Sequence, residues 1–108
     1  MSKISRRTAL AITAAAPLAL ATRASAATLQ VVIKDFQFNP PEMEVQPGDT
    51  IIFINQDVAP HTATHEGGAF DTGPIQPGEA AKVQLPGSDK FEYFCQFHPN
   101  MRGQLLGG

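Results

Sequence analysis

After residue 27 the chain alternates between apolar and polar positions with a period of two, the spacing at which side chains leave a strand on opposite faces. In residues 28–38, Leu29, Val31 and Ile33 share one face, and Phe36 and Phe38 carry the strand on past a kink expected near Asp35. Asn39-Pro40-Pro41 ends it. Met43 and Val45, set among Glu42, Glu44 and Gln46, predict a short second strand, and Pro47-Gly48-Asp49 predicts the turn after it. Residues 50–55 form the most apolar run of this part of the chain and are read as a central strand buried on both faces. Shorter strands are expected at 62–65, 81–85, 90–94 and 103–106, parted by Gly67-Gly68, Pro77-Gly78 and Pro86-Gly87. No segment here carries a helical period. Seven or eight short strands separated by Pro-Gly turns predict an all-β fold, an antiparallel β-sandwich.

Composition changes the picture at the N-terminus. Lys3, Arg6 and Arg7 precede an apolar run over residues 10–21, which contains Pro17 and is too short to span a bilayer. Ala24-Ser25-Ala26 then supplies small residues at a signal-peptidase position. Residues 1–26 are therefore read as a cleaved signal peptide and residues 27–108 as a single domain. Ser5-Arg6-Arg7-Thr8-Ala9-Leu10 resembles a twin-arginine export signal, with the general secretory route as the alternative. Either route leads to the periplasm. Four of the eight basic residues leave with the signal while all ten acids remain, which moves the net charge from −2 to −6. That balance argues against nucleic acid and anionic membrane surfaces as partners and suits steering toward a basic protein. Removing 26 of the 108 residues leaves 82, one small domain with a marginal core, expected to be a monomer. Its single cysteine, Cys95, allows no internal disulfide although the destination is oxidising. A bound metal would both staple the fold and protect the thiol.

Cys95 stands in Phe91-Glu92-Tyr93-Phe94-Cys95-Gln96-Phe97-His98-Pro99-Asn100-Met101. A strand-forming aromatic run delivers the thiol into a tight loop, with His98 and Met101 following at steps of three. A thiolate, an imidazole and a thioether this close can share one small cavity. One Cys, two His and a weak axial Met make the blue-copper set. The second histidine must then be His61 or His65. On a strand these two lie roughly 13 Å apart in Cα position, so one small site takes only one of them. His61 follows Pro60, where the backbone is fixed, and is favoured; His65, before Glu66-Gly67-Gly68, is read as a surface histidine. The plainer readings are that Cys95 is a small buried hydrophobe and Met101 a core methionine. Cys-x-x-His by itself is also shared by short zinc sites.

Taken in order, Phe36-x-Phe38-x-Pro40, Pro47-Gly48-Asp49-Thr50, Asn55, Pro60-His61-Thr62, Phe70-Asp71-x-Gly73, Pro77-Gly78 and Tyr93-x-Cys95-x-x-His98-Pro99-x-Met101-x-Gly103 resemble the cupredoxins, the type 1 blue copper proteins, over residues 28–106. The two residues between His98 and Met101 make a short ligand loop similar to that of amicyanin, and the chain resembles the amicyanin, plastocyanin and pseudoazurin group. The resemblance implies a Greek-key β-sandwich holding one copper ion, Cu(I) or Cu(II), on His61, Cys95, His98 and Met101. It implies a carrier of single electrons between redox partner proteins, such as cytochromes, dehydrogenases or reductases, and not an enzyme. A docking patch of Ala59, Pro60, Phe97 and Pro99 around His98 follows from the same resemblance. The alternative function is a copper-binding module for storage, delivery or resistance. Thr62 departs from the pattern, because relatives often have Asn there. Its backbone N–H can still face the thiolate, and whether its shorter side chain ties the two ligand loops together is left open by the sequence.

Overall fold

The alternation is realised as eight strands, with no helix, among the residues that the computed structural model describes, 26–87 and 89–107. The export signal read at residues 1–26 lies outside them except for Ala26. The strands are β1 (Thr28–Lys34), β2 (Gln37–Asn39), β3 (Glu42–Val45), β4 (Thr50–Asn55), β5 (Thr64–His65), β6 (Ala80–Gln84), β7 (Lys90–Phe94) and β8 (Arg102–Gly107). They form two four-stranded sheets, ordered β2-β1-β4-β6 and β3-β8-β7-β5.

The expected single strand over 28–38 is a hairpin. Lys34 pairs with Gln37 across a two-residue turn. Both turn residues have positive φ, 54° at Asp35 and 59° at Phe36, as in the type I′ turn whose twist matches its flanking strands. Asn-Gly is the usual signal for that turn. Asp-Phe lacks it, so the only trace of the turn in the pattern is the three-residue step from Ile33 to Phe36, read as a kink.

The sheets are also mixed, where an antiparallel sandwich was expected. β1 runs parallel to β4, with Ile33 opposite Asn55, and β3 runs parallel to β8. The chain leaves the first sheet after β2, lays β3 into the second, and returns as β4 beside β1. A crossover between layers permits parallel neighbours that a simple hairpin cannot make. Central β4 departs from its reading too. It is paired on both edges, by β1 and β6, yet only Ile51, Phe53 and Asn55 are fully buried while Thr50, Ile52 and Ile54 are half-buried. A two-layer sandwich has one interior, so each strand has one core face.

That interior is an aromatic wedge. Phe38 and Phe53 from the first sheet meet Tyr93 from the second edge to face, at centroid distances of 4.7 and 5.4 Å, the geometry that aromatic quadrupoles favour. Val31, Ile33 and Ile51 pack with Val45, Phe91 and Leu105 around them.

Two turns of the same design brace the ends of the strands. Gln46-Pro47-Gly48-Asp49 and Gln76-Pro77-Gly78-Glu79 each close with an N–H to carbonyl bond, 3.0 and 2.9 Å. Gly48 and Gly78 sit at φ of 84° and 85°, the position that a type II turn reserves for glycine, with proline before it. In each, the closing acid also accepts the first residue's N–H, Asp49 from Gln46 at 2.8 Å and Glu79 from Gln76 at 3.2 Å. Asp49 is fully buried and accepts the Ala27 N–H as well. The second turn is pinned to the end of β4 by Gly78 N–H to the Asn55 carbonyl and Asn55 N–H to the Glu79 carbonyl.

Gly103 lies opposite Tyr93 in the β7–β8 pair. A Cβ at 103 would overlap the Tyr93 ring, lying 2.5 Å from its hydroxyl oxygen. Gly103→Ala is therefore expected to destabilise the metal-free protein by about 1–3 kcal/mol, the usual range for overpacking. Thermal denaturation would read this as a fall of roughly 4–8 °C per kcal/mol. An unchanged melting temperature would mean that the Tyr93 ring is free to shift.

Candidate metal centre

The first ligand loop begins where β4 ends, at the fully buried Asn55. Its side-chain amide donates to the carbonyls of Ala59, 2.9 Å, and Ile75, 2.7 Å, and its Oδ1 accepts the Asp57 N–H. One side chain thus satisfies three backbone groups that burial would otherwise leave unpaired. His61 is locked next, exchanging both backbone bonds with Ile75. This pairing shortens the strand expected over 62–65 to β5.

The His61 imidazole is completely buried. Its Nε2 lies 2.8 Å from Asp57 Oδ2. A carboxylate there favours the proton on Nε2 and leaves the Nδ1 lone pair for a metal. Asp57 also accepts the N–H groups of Phe36 and Val58, each at 2.9 Å. Burial raises the pKa of its carboxyl, but these donors and His61 outweigh that and hold it below the ordinary aspartate value. Asp57 falls between the strands expected at 50–55 and 62–65. An acid four residues before a candidate ligand was the available signal.

The second loop follows β7. Cys95, completely buried, donates its N–H to the Met101 carbonyl at 3.0 Å. The His98 N–H reaches the Cys95 carbonyl, and the Met101 N–H reaches the His98 carbonyl. Three backbone bonds therefore close this loop on itself. Met101 ends it as a buried side chain, and His98 is half-buried.

The two loops meet at sulfur. Cys95 Sγ lies 3.6 Å from His61 Nδ1 and 3.7 Å from His98 Nδ1. These are the separations produced by two bonds of about 2.0–2.3 Å, typical for metal–imidazole and metal–thiolate ligation, opened to roughly 120°. The donor set therefore fits one trigonal metal ion. The Thr62 N–H points at the same sulfur, at 3.4 Å.

The Thr62 side chain, left open by the sequence, does tie the loops. Its Oγ1 accepts the Gln96 N–H at 2.9 Å and lies 3.0 Å from Thr64 Oγ1. Since the Thr64 hydroxyl donates to Asp71 Oδ1, the proton between the two threonines belongs to Thr62. Threonine reaches because its partner is the backbone of the residue next to Cys95, which the short loop brings close.

His65 stands apart from the centre. It is half-buried rather than a free surface histidine, stacked on Phe70 at 5.4 Å, and its Nδ1 accepts the Ala69 N–H. Phe36, read from the sequence as a strand residue, instead stands edge-on to both His61 and His98.

Known proteins agree with this geometry. At 30% identity over 95 residues the chain is similar to amicyanin of Paracoccus denitrificans, covering 83% of this chain and 72% of that protein. It is 32% identical over 96 residues to the methylamine utilization protein MauL of Methylophilus methylotrophus, covering 84% and 55% respectively. The solved structure of the Cu(I) form of an amicyanin variant superposes with a TM-score of 0.69 at 25% identity, over 78% of this chain and 85% of that one. The cupredoxin-like domain family matches residues 7–106. With that match spanning nearly the whole sequence, and with the two-sheet sandwich carrying a His-Cys-His triangle at one end, the chain belongs to the cupredoxin-like family.

Proposed function

We propose that the protein is a type 1 blue copper protein that carries single electrons between redox partners, with His61, Cys95 and His98 as the equatorial ligands and Met101 as the axial one. The observation that carries this reading is the triangle of one sulfur and two ring nitrogens, all within 4.8 Å of one another, with His61 and Cys95 buried and His98 half-buried. Copper supplies the one-electron Cu(I)/Cu(II) couple when bound. Cys95 contributes a soft thiolate, and the Thr62 N–H takes up part of its charge. Asp57 keeps the His61 lone pair aimed inward. Loop closure and the Thr62 tie restrain the donors, so ligand movement between oxidation states is small and exchange is fast. Four protein donors leave no position for substrate, which favours a carrier over an enzyme.

Half-buried His98 is the ligand nearest solvent. Among the described residues the exposed large hydrophobics are Phe36, Val58 and Phe97, and each adjoins the centre. Phe97 precedes His98, Val58 follows Asp57, and Phe36 touches both histidines. With Ala59, Pro60 and Pro99 they make an apolar docking patch for a redox partner such as a cytochrome, dehydrogenase or reductase. The acids of the domain steer a basic partner toward it. The leader read at residues 1–26 supports a periplasmic protein, and we take the domain as a monomer in which one copy docks at a time.

One equivalent of Cu(II) is expected to give an intense blue band that vanishes on reduction and is absent from Cys95→Ser, read by visible absorption. A colourless protein that takes only Cu(I) or zinc would shift the reading to copper storage or delivery.

Phe97→Glu is expected to slow electron self-exchange about tenfold by bringing like charges together across the patch, with an unchanged spectrum. Self-exchange at the parent rate would remove Phe97 from the docking surface.

A further inference from the structure

One aromatic ring spans both imidazoles of the metal centre. Phe36 stands edge-on to His61 at 5.2 Å and to His98 at 4.8 Å, with an interplanar angle of 89° to each. These are favourable T-shaped contacts. Its backbone is unusual for the residue type: at a φ of 59° the Cβ crowds the chain, and glycine or asparagine is the ordinary occupant. The conformation is held from outside the turn. The Phe36 N–H donates to Asp57 Oδ2, the oxygen that also binds His61 Nε2. The parallel pairing of β1 with β4 carries the turn to the end of the sandwich where His61 lies. Local backbone strain therefore sits at the residue whose ring touches two ligands, the pattern expected where strain serves a site.

We propose that Phe36 is a positioning residue of the metal centre. Its ring clamps the His61 and His98 imidazoles in ligand orientation and slows loss of the metal. His61 is fully buried and braced by Asp57. Half-buried His98 is the ligand with room to swing outward, and it is the one Phe36 approaches more closely. The inference rests on the copper site proposed above.

Copper transfer to an excess of chelator, followed as decay of the blue band, tests the clamp in Phe36→Asn and Phe36→Tyr. Asparagine accepts positive φ and keeps the N–H bond to Asp57 but has no ring. Tyrosine keeps the ring. Phe36→Asn is expected to release copper about tenfold faster, equivalent to about 1.4 kcal/mol, and Phe36→Tyr at the parent rate. In the metal-free proteins, NMR should show ring-current displacement of the His61 and His98 ring protons in the parent and Phe36→Tyr, and its loss in Phe36→Asn. Phe36→Leu, apolar but ringless, gives the same readings should the asparagine variant fail to melt cooperatively. Equal release from parent and ringless variants, or fast release from Phe36→Tyr, overturns the clamp. A parent without a blue band overturns the copper reading itself, and the clamp with it.

Discussion

Two loops growing from different sheets must hold a sulfur and two ring nitrogens within a few ångströms, and one end of the molecule is organised around that constraint. His61 follows β4 of the first sheet; Cys95 and His98 follow β7 of the second. Bringing lone pairs this close costs hydration that they do not recover from one another. The chain offsets the cost with hydrogen bonds that need no metal. The Thr62 N–H meets the sulfur, the Thr62 hydroxyl receives the Gln96 N–H, and Asp57 takes the far side of His61. A site held this way keeps its shape whichever charge the ion carries, because its supports belong to the protein.

The same constraint explains where polar side chains are buried. Asn55, Thr62 and Asp57 lie within a small domain that has little apolar core to offset unpaired groups. Each makes two or more hydrogen bonds. Asn55 binds both the loop leading to His61 and the strand segment beside it, at Ile75. The Gln-Pro-Gly-acid turn at 76–79 then presses against Asn55 from the other side. Below these groups the Phe38, Phe53 and Tyr93 rings join the sheets, and the polar end rests on that aromatic floor. Tyr93 lies two residues before Cys95, so packing of the core and placement of the thiolate are coupled through one strand.

The surface at this end is apolar although the domain is acidic. Phe36, Val58 and Phe97 remain exposed, the apolar patch proposed above for docking. Charge can act at a distance to orient an approach, while an apolar contact lets two surfaces part again. Phe36 belongs to both arrangements, its ring against the His61 and His98 imidazoles and nearly half of it exposed.

Strand positions, the Pro-Gly turns and the cluster of Cys95, His98 and Met101 were legible because each depends on neighbours a few residues away. Alternation reports which face a residue takes, and loop spacing reports which donors a single loop can gather. That His61, and not His65, comes to lie beside Cys95 and His98 also has a local signal, the proline before it. The roles of Asp57, Phe36 and the Thr62 side chain were not legible. Phe36 and Asp57 are 21 residues apart, and Thr62 and Gln96 are 34 apart. No local period records such contacts.

By itself, then, the sequence determined an all-β chain, the elements along it and the residue types able to hold a soft metal. Only the tertiary structure decided the direction of β1 relative to β4. Period-two patterning is the same for parallel and antiparallel neighbours, since both put alternate side chains on one face. Had the pair run antiparallel, the turn bearing Phe36 would sit at the opposite end of the sandwich from His61. The crossover through the second sheet sets that direction, and with it the surroundings of the centre.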